Sequence, residues 1–284
     1  MRWTEWGAVR RLRVRSRPVD VGVHAVEGFR RHRSGRNATL IAYFGFLSVF
    51  PLFLAFTTIL GFILQGDSSL RDNILNSTMA QLPFVGQQIA TNPNDLHGNV
   101  VVLVLGLLGS LWGGMKAFIA VHTALDDVAE RPLDERANAV KVRIRALFGI
   151  LYIGGAQVGA TIIASIVGVT GVALISKILL FIGTAAVDAV ILLLSYRWLR
   201  TDNPSWRSLL PGAIVGGILF AFLQLVGVAI VGRQIAHASP VYGTFASVIG
   251  LLSWLSLHAV IALGGAELNA ALVADGPPHP PDCD

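Results

Sequence analysis

The sequence predicts an all-α fold: a polytopic membrane protein of six transmembrane helices with short amphipathic interfacial helices. Three observations carry that reading. The chain of 284 residues is 54% hydrophobic and only 14% charged, with a mean hydropathy of +0.64, a membrane composition rather than a soluble one. It holds apolar runs that each reach the roughly 20 residues needed to cross a bilayer. Its lysines and arginines gather in alternate connections, as the positive-inside rule requires.

Residues 1–36 form a basic cytoplasmic segment, ten arginines against Glu5, Asp20 and Glu27, for a net +7. It lacks the apolar stretch of a secretory signal, so no cleaved leader is expected. Trp3, Trp6 and Val9, then Val19, Val23 and Val26 after Pro18, fall at helical spacing and predict short helices lying on the anionic cytoplasmic leaflet.

The membrane domain is read as residues 37–273, with spans at 38–64, 98–121, 147–172, 177–199, 209–232 and 243–272. In the first span Pro51 removes a backbone donor and crowds the Leu47 carbonyl, so a kink is expected there, with Ser48 one turn earlier able to satisfy the freed group. The polar connection 65–99 predicts one or two interfacial helices, capped near Asp67, Ser68 and Ser69 and broken near Pro83. His97 there reads as a solvent-facing loop residue. Residues 171–176 are too few for anything but a tight hairpin between spans three and four.

With a cytoplasmic N-terminus, the inner connections hold ten, five and three basic residues, eighteen in all, against Arg71, Lys177 and Arg233 outside. Both termini are therefore expected in the cytoplasm. The same asymmetry explains the net charge of +5 without a nucleic-acid partner. The tail, 274–284, is proline-rich and predicted disordered. Its Cys283 is the sole cysteine, which leaves neither a disulfide framework nor a cysteine metal site within the chain.

Ionisable residues within spans mark functional candidates, because their desolvation is costly. These are Lys116, Asp188 and Glu267, with His122 and His258 as weaker cases. Lys116 and Glu267 lie within about two turns of the same membrane face and could pair. Asp188 lies too deep to snorkel, so it marks a transport path or a partner for Lys116. Gln157 and Gln224 complete an expected polar network in the bundle interior. Small residues four apart, at Ala156, Ala160, Ala164 and Gly168 and at Gly212 and Gly216, predict close helix contacts.

The connection after span two carries Asp126, Asp127, Glu130, Asp134 and Glu135. Clustered carboxylates suit a two-metal nuclease, but interspersed Arg131, Arg136, Lys141 and Arg143 favour a salt-bridged connector. GxxxxGK[ST], GxSxG and HExxH are absent. No cofactor and no enzymatic activity are therefore expected.

Three segments together resemble the YihY/BrkB family of bacterial inner-membrane proteins, once labelled ribonuclease BN. The first is ATLIAYFGFLSVFPLFL, through Ala42, Tyr43, Ser48 and Pro51. The second is Pro211, Gly212 and Ala213, opening the fifth span. The third is SPVYGTFASVIGLLSWLSLHAVIALGGAELNAAL, through Tyr242, Gly243, Trp254, Gly265, Ala266, Glu267 and Asn269. Where the family carries asparagine and tryptophan after an alanine-leucine pair, this chain has Asp126 and Asp127 after Ala124 and Leu125. The resemblance implies a multi-pass inner-membrane protein of the cell envelope with six spans and cytoplasmic termini. It also implies a role in envelope integrity or in export of lipids or small amphiphiles. Membrane lipids, other copies of the chain and envelope-assembly proteins are the expected partners. A non-transporting scaffold is the main alternative, and a membrane-tethered ribonuclease a remote one.

Overall fold

The computed structural model describes residues 16–64, 100–168, 174–202, 204–235 and 240–274, all helix or short connection. The expectations for Trp3, Trp6 and Val9, the 65–99 connection, the 171–176 hairpin and the tail lie wholly or mainly outside these residues. Seven helices are described: α1 Arg17–Arg31, α2 Ser34–Leu64, α3 Val100–Val128, α4 Ala139–Gly168, α5 Leu174–Trp198, α6 Trp206–Ile235 and α7 Pro240–Ala274. Four of them contain stretches long and apolar enough to cross a membrane, at Val100–Val128, Phe181–Trp198, Trp206–Gly227 and Val248–Ala274.

Local chemistry sets the helix ends. Helix α1 has Pro in its first turn, Asp20 near its N-terminus and Arg30 and Arg31 in its last turn, all favourable to the backbone dipole. It stops where Arg33 takes a left-handed φ of 55°, and α2 begins one residue later. Helix α3 ends the same way at Glu130, φ 53°. There the Arg131 N–H reaches the Asp126 carbonyl and the Glu130 N–H reaches that of Asp127, both at 3.1 Å, the Schellman pattern of a helix C-terminus. Ser205 caps α6, its Oγ accepting from the Ser208 N–H at 3.4 Å. The helices overrun several of the predicted spans at their polar ends, because charged residues beyond the apolar stretch are themselves good helix formers.

The chain divides into two compact units. The first draws on Met1–Ile41, Phe118–Val226 and Ser256–Asp284, the second on Ala42–Ala117 and Gly227–Leu255. In the first unit the buried core joins Ala38 of α2, Ala124, Leu125 and Val128 of α3, and Leu192 and Tyr196 of α5. It also takes in Leu209 and Ala213 of α6 and Leu263 and Ala266 of α7. Many of these contacts are alanine, which lets helix axes approach closely where no water drives them together.

In the second unit α2 packs on a glycine stripe of α3. A Cβ at Gly106 would lie 2.8 Å from the Pro51 carbonyl oxygen, one at Gly109 2.9 Å from the Pro51 Cβ, and one at Gly113 3.0 Å from Ser48. Helix α2 continues through Pro51. The Ser48 hydroxyl donates to the Gly45 carbonyl at 2.6 Å, not to the Leu47 carbonyl that Pro51 frees. About a quarter turn from that stripe, Val101, Leu105, Leu108 and Trp112 form a second one, 56–65% exposed. Such a stripe suits hydrocarbon and would be an aggregation liability in water.

Candidate functional site

The polar residues of the first unit concentrate where its helices end. Glu267, near the end of α7, is only 2% exposed. Its carboxylate accepts from the Ser34 hydroxyl at 2.7 Å and lies 3.0 Å from the His32 Nδ1. The other ring nitrogen of His32 lies 3.2 Å from Glu130, which also pairs with Arg31 at 2.6 Å. A neutral imidazole has one donor, whereas an imidazolium donates to both carboxylates. Close approach of α1 makes this possible, since a Cβ at Gly28 would lie 2.5 Å from Glu267 Oε2.

The neighbouring acids are held as firmly. Asp126 is fully buried. It accepts from the Thr201 N–H at 2.9 Å and the Thr201 hydroxyl at 2.8 Å, with the His122 Nδ1 3.2 Å away. Asp127 accepts from Asn37 at 3.1 Å and Arg136 at 2.8 Å. Arg131 bonds Glu135 at 3.0 Å and lies 3.7 Å from Asp202. The connector is thus laced by ion pairs, and both aspartates spend their oxygens on protein donors. Among the described residues no group of three or more His, Cys, Asp or Glu is placed to hold a metal ion.

Two segments of separate sequence meet at Asn269. Its Oδ1 accepts from the Gly212 N–H at 2.7 Å and its Nδ2 donates to the Leu209 carbonyl at 3.1 Å. Pro211 sits inside α6 and contributes no N–H of its own, and the amide ties down the backbone on either side of it. Gly212 and Gly265 carry no Cβ where these helices touch: a Cβ at Gly265 would lie 2.7 Å from the Gly212 carbonyl oxygen. Beside them the Tyr196 hydroxyl donates to the Ala262 carbonyl at 2.6 Å.

Away from the helix ends, Asp188 is 5% exposed on α5 and accepts from the Gln224 side chain at 3.0 Å. The helices are close here: a Cβ at Gly217 would lie 2.6 Å from both the Ala185 carbonyl oxygen and the Ala189 nitrogen. The structure therefore joins Asp188 to Gln224, and Glu267 to His32 and Ser34. Lys116 is exposed on α3. Gln157 lies on α4 and Tyr242 and Gly243 on α7, with their side chains outside the described residues. Tyr43 is exposed, and the His258 ring lies tilted against Phe220 with centroids 4.7 Å apart. Sequence reasoning missed His32, Ser34, Tyr196 and Thr201. The first two lie in the basic segment read as interfacial, and nothing distinguished the others.

No solved structure matches the chain significantly. A "UPF0761 membrane protein" of Alkalilimnicola ehrlichii is 27% identical over 90% of this chain and 59% of its own length, so the chain spans under two thirds of that relative. A ribonuclease-like protein of Bacillus subtilis, YfkH, is 23% identical over 85% of this chain and 90% of its own. An uncharacterized protein of Dickeya dadantii is 24% identical over 88% and 83%. The profile of the family described as virulence factor BrkB matches residues 25–282. That match takes in α2 to α7 and every residue of the helix-end clusters from Gly28 to Asn269, so the chain belongs to the BrkB family of membrane proteins.

Proposed function

We propose that the protein crosses the bacterial inner membrane six times with both termini in the cytoplasm, and that it moves lipids or small amphiphiles across it. The observation that carries the transport reading is Asp188. A carboxylate ten residues from the nearer end of α5, at Trp198, lies about 15 Å along the helix axis from that end, too deep for its short side chain to reach water by snorkelling, and the Gln224 amide is its hydrogen-bond partner. Such a group costs stability in a membrane and is retained where it serves a path for polar cargo. The polar end clusters support the orientation: the helix ends that they tie together are the ones expected on the cytoplasmic face.

The test is scrambling of fluorescent phospholipids in proteoliposomes. Asp188→Asn keeps an acceptor for Gln224 and removes the charge, and it is expected to slow movement at least tenfold. Unchanged movement would remove Asp188 from the path. Absence of movement with the wild-type protein, across anionic, zwitterionic and lysolipid probes, would favour the scaffold reading. That alternative draws on the tightly bonded connectors, which form a fixed surface. The ribonuclease in the name of the Bacillus subtilis relative would need free carboxylates. The donors on Asp126 and Asp127 speak against it, and metal-dependent RNA cleavage lost in Asp126→Ala would reinstate it.

A further inference from the structure

We infer that the protein carries a binding site for the phosphate of an anionic phospholipid, between the start of α4 and the end of α5. The inference rests on membrane placement and is independent of the transport role of Asp188. A cavity of about 380 Å³ is lined there by Arg145, Phe148, Arg197, Trp198, Arg200, Thr201 and Asp202, within the range of roughly 300–1,000 Å³ for small-ligand sites.

The charges are arranged for an anion. Three guanidiniums face one carboxylate, and that carboxylate is already taken: Arg200 forks onto Asp202 at 2.6 and 2.8 Å, and Arg131 lies 3.7 Å from it. Arg145 and Arg197 remain to supply positive charge. Both are fixed by neutral partners that leave their charge uncompensated. Arg145 donates to the Arg200 carbonyl at 3.1 Å. Arg197 donates to the Pro204 carbonyl and lies 4.6 Å over the Trp206 ring. Guanidiniums held in place lose little freedom on binding a phosphate, whose oxygens their forked donors match.

The surroundings select a lipid over a free anion. Phe148 and Trp198 stand edge to face with centroids 6.2 Å apart, each 54% exposed. Arg145, Phe148 and Tyr152 follow one face of α4 at i, i+3 and i+7. Tyr152 is 38% exposed and Leu151 beside it 72%. A cationic end passing into an exposed aromatic and aliphatic face matches a phosphate continuing into acyl chains, and aromatic rings favour that depth of the bilayer. Basic pockets between spanning helices on the cytoplasmic side suit anionic head groups.

The test measures lipid retained by the full-length protein in mild detergent, using phosphatidylglycerol, phosphatidylcholine and inorganic phosphate as separate probes. The site predicts preferential retention of phosphatidylglycerol. It predicts at least a fivefold loss in the Arg145→Gln/Arg197→Gln double variant and less than a twofold change in Arg143→Gln, which removes a charge from the same helix outside the cavity. Equal losses from all the arginine variants, equal retention of phosphatidylcholine, or displacement by inorganic phosphate at matched concentration would overturn it. In case the double variant fails to fold, wild-type protein in nanodiscs is cross-linked to phosphatidylglycerol bearing a photoreactive head group. Adducts concentrated on 145–148 and 197–206 support the site, and adducts spread over the basic ends contradict it.

Discussion

Asn269 shows how one side chain can hold two helices in register. Its amide serves the Gly212 N–H and the Leu209 carbonyl, one backbone group on either side of Pro211. Asn269→Leu is expected to lose about 1–3 kcal/mol, from two hydrogen bonds worth roughly 0.5–1.5 each, seen as a lower thermal midpoint in detergent. Asn269→Asp should fail to rescue it, since an acceptor would then face the Leu209 carbonyl. The Glu267 cluster separates two kinds of polar contact in the same way. His32→Ala strips a buried carboxylate of a partner and is expected to cost about 3 kcal/mol. Glu130→Gly gives up exposed contacts worth under about 1 kcal/mol and relieves a left-handed residue of a similar strain, so its midpoint should barely move. A Glu130→Gly loss as large as that of His32→Ala would contradict this division. Of these residues Glu267 was legible from its charge inside an apolar run, while Asn269 and Gly265 were visible only through the resemblance. His32 was hidden among arginines, because nothing local reveals that α1 folds back onto the end of α7.

At the scale of elements, the apolar runs located the helices of the membrane region, since length and hydropathy are local properties. Packing was harder to read. Gly212 stood out in a four-residue spacing and does face Gly265. Gly106, Gly109 and Gly113 follow a three-then-four spacing among leucines and looked like ordinary span composition, yet they form the seat of α2 at Pro51 and Ser48. Gly109→Leu is expected to cost about 1–3 kcal/mol by overpacking, measured as lost monodispersity and a lower midpoint. Leu108→Ala, on the exposed stripe of the same helix, should stay within about 0.5 kcal/mol. Equal sensitivity at the two positions would mean that α3 does not present its glycine face to α2. The pairing of Asp188 with Gln224 was likewise beyond local reading: both residues stood out as polar within spans, but which helices adjoin is a property of the whole bundle.

For the whole molecule, one arrangement answers for composition, charge and packing. In the proposed orientation the hydrocarbon holds the apolar helices, the arginines set which ends stay inside, and the bonded clusters around Asp126, Glu267 and Asn269 tie those ends together. The lone Cys283 lets that arrangement be measured in the unaltered chain. Intact spheroplasts treated with a membrane-impermeant maleimide should leave Cys283 unlabelled until the membrane is opened, and in a Cys283→Ser background Arg71→Cys should label at once. Labelling of Cys283 in intact cells, with position 71 protected, would place the basic ends on the wrong side and contradict the account.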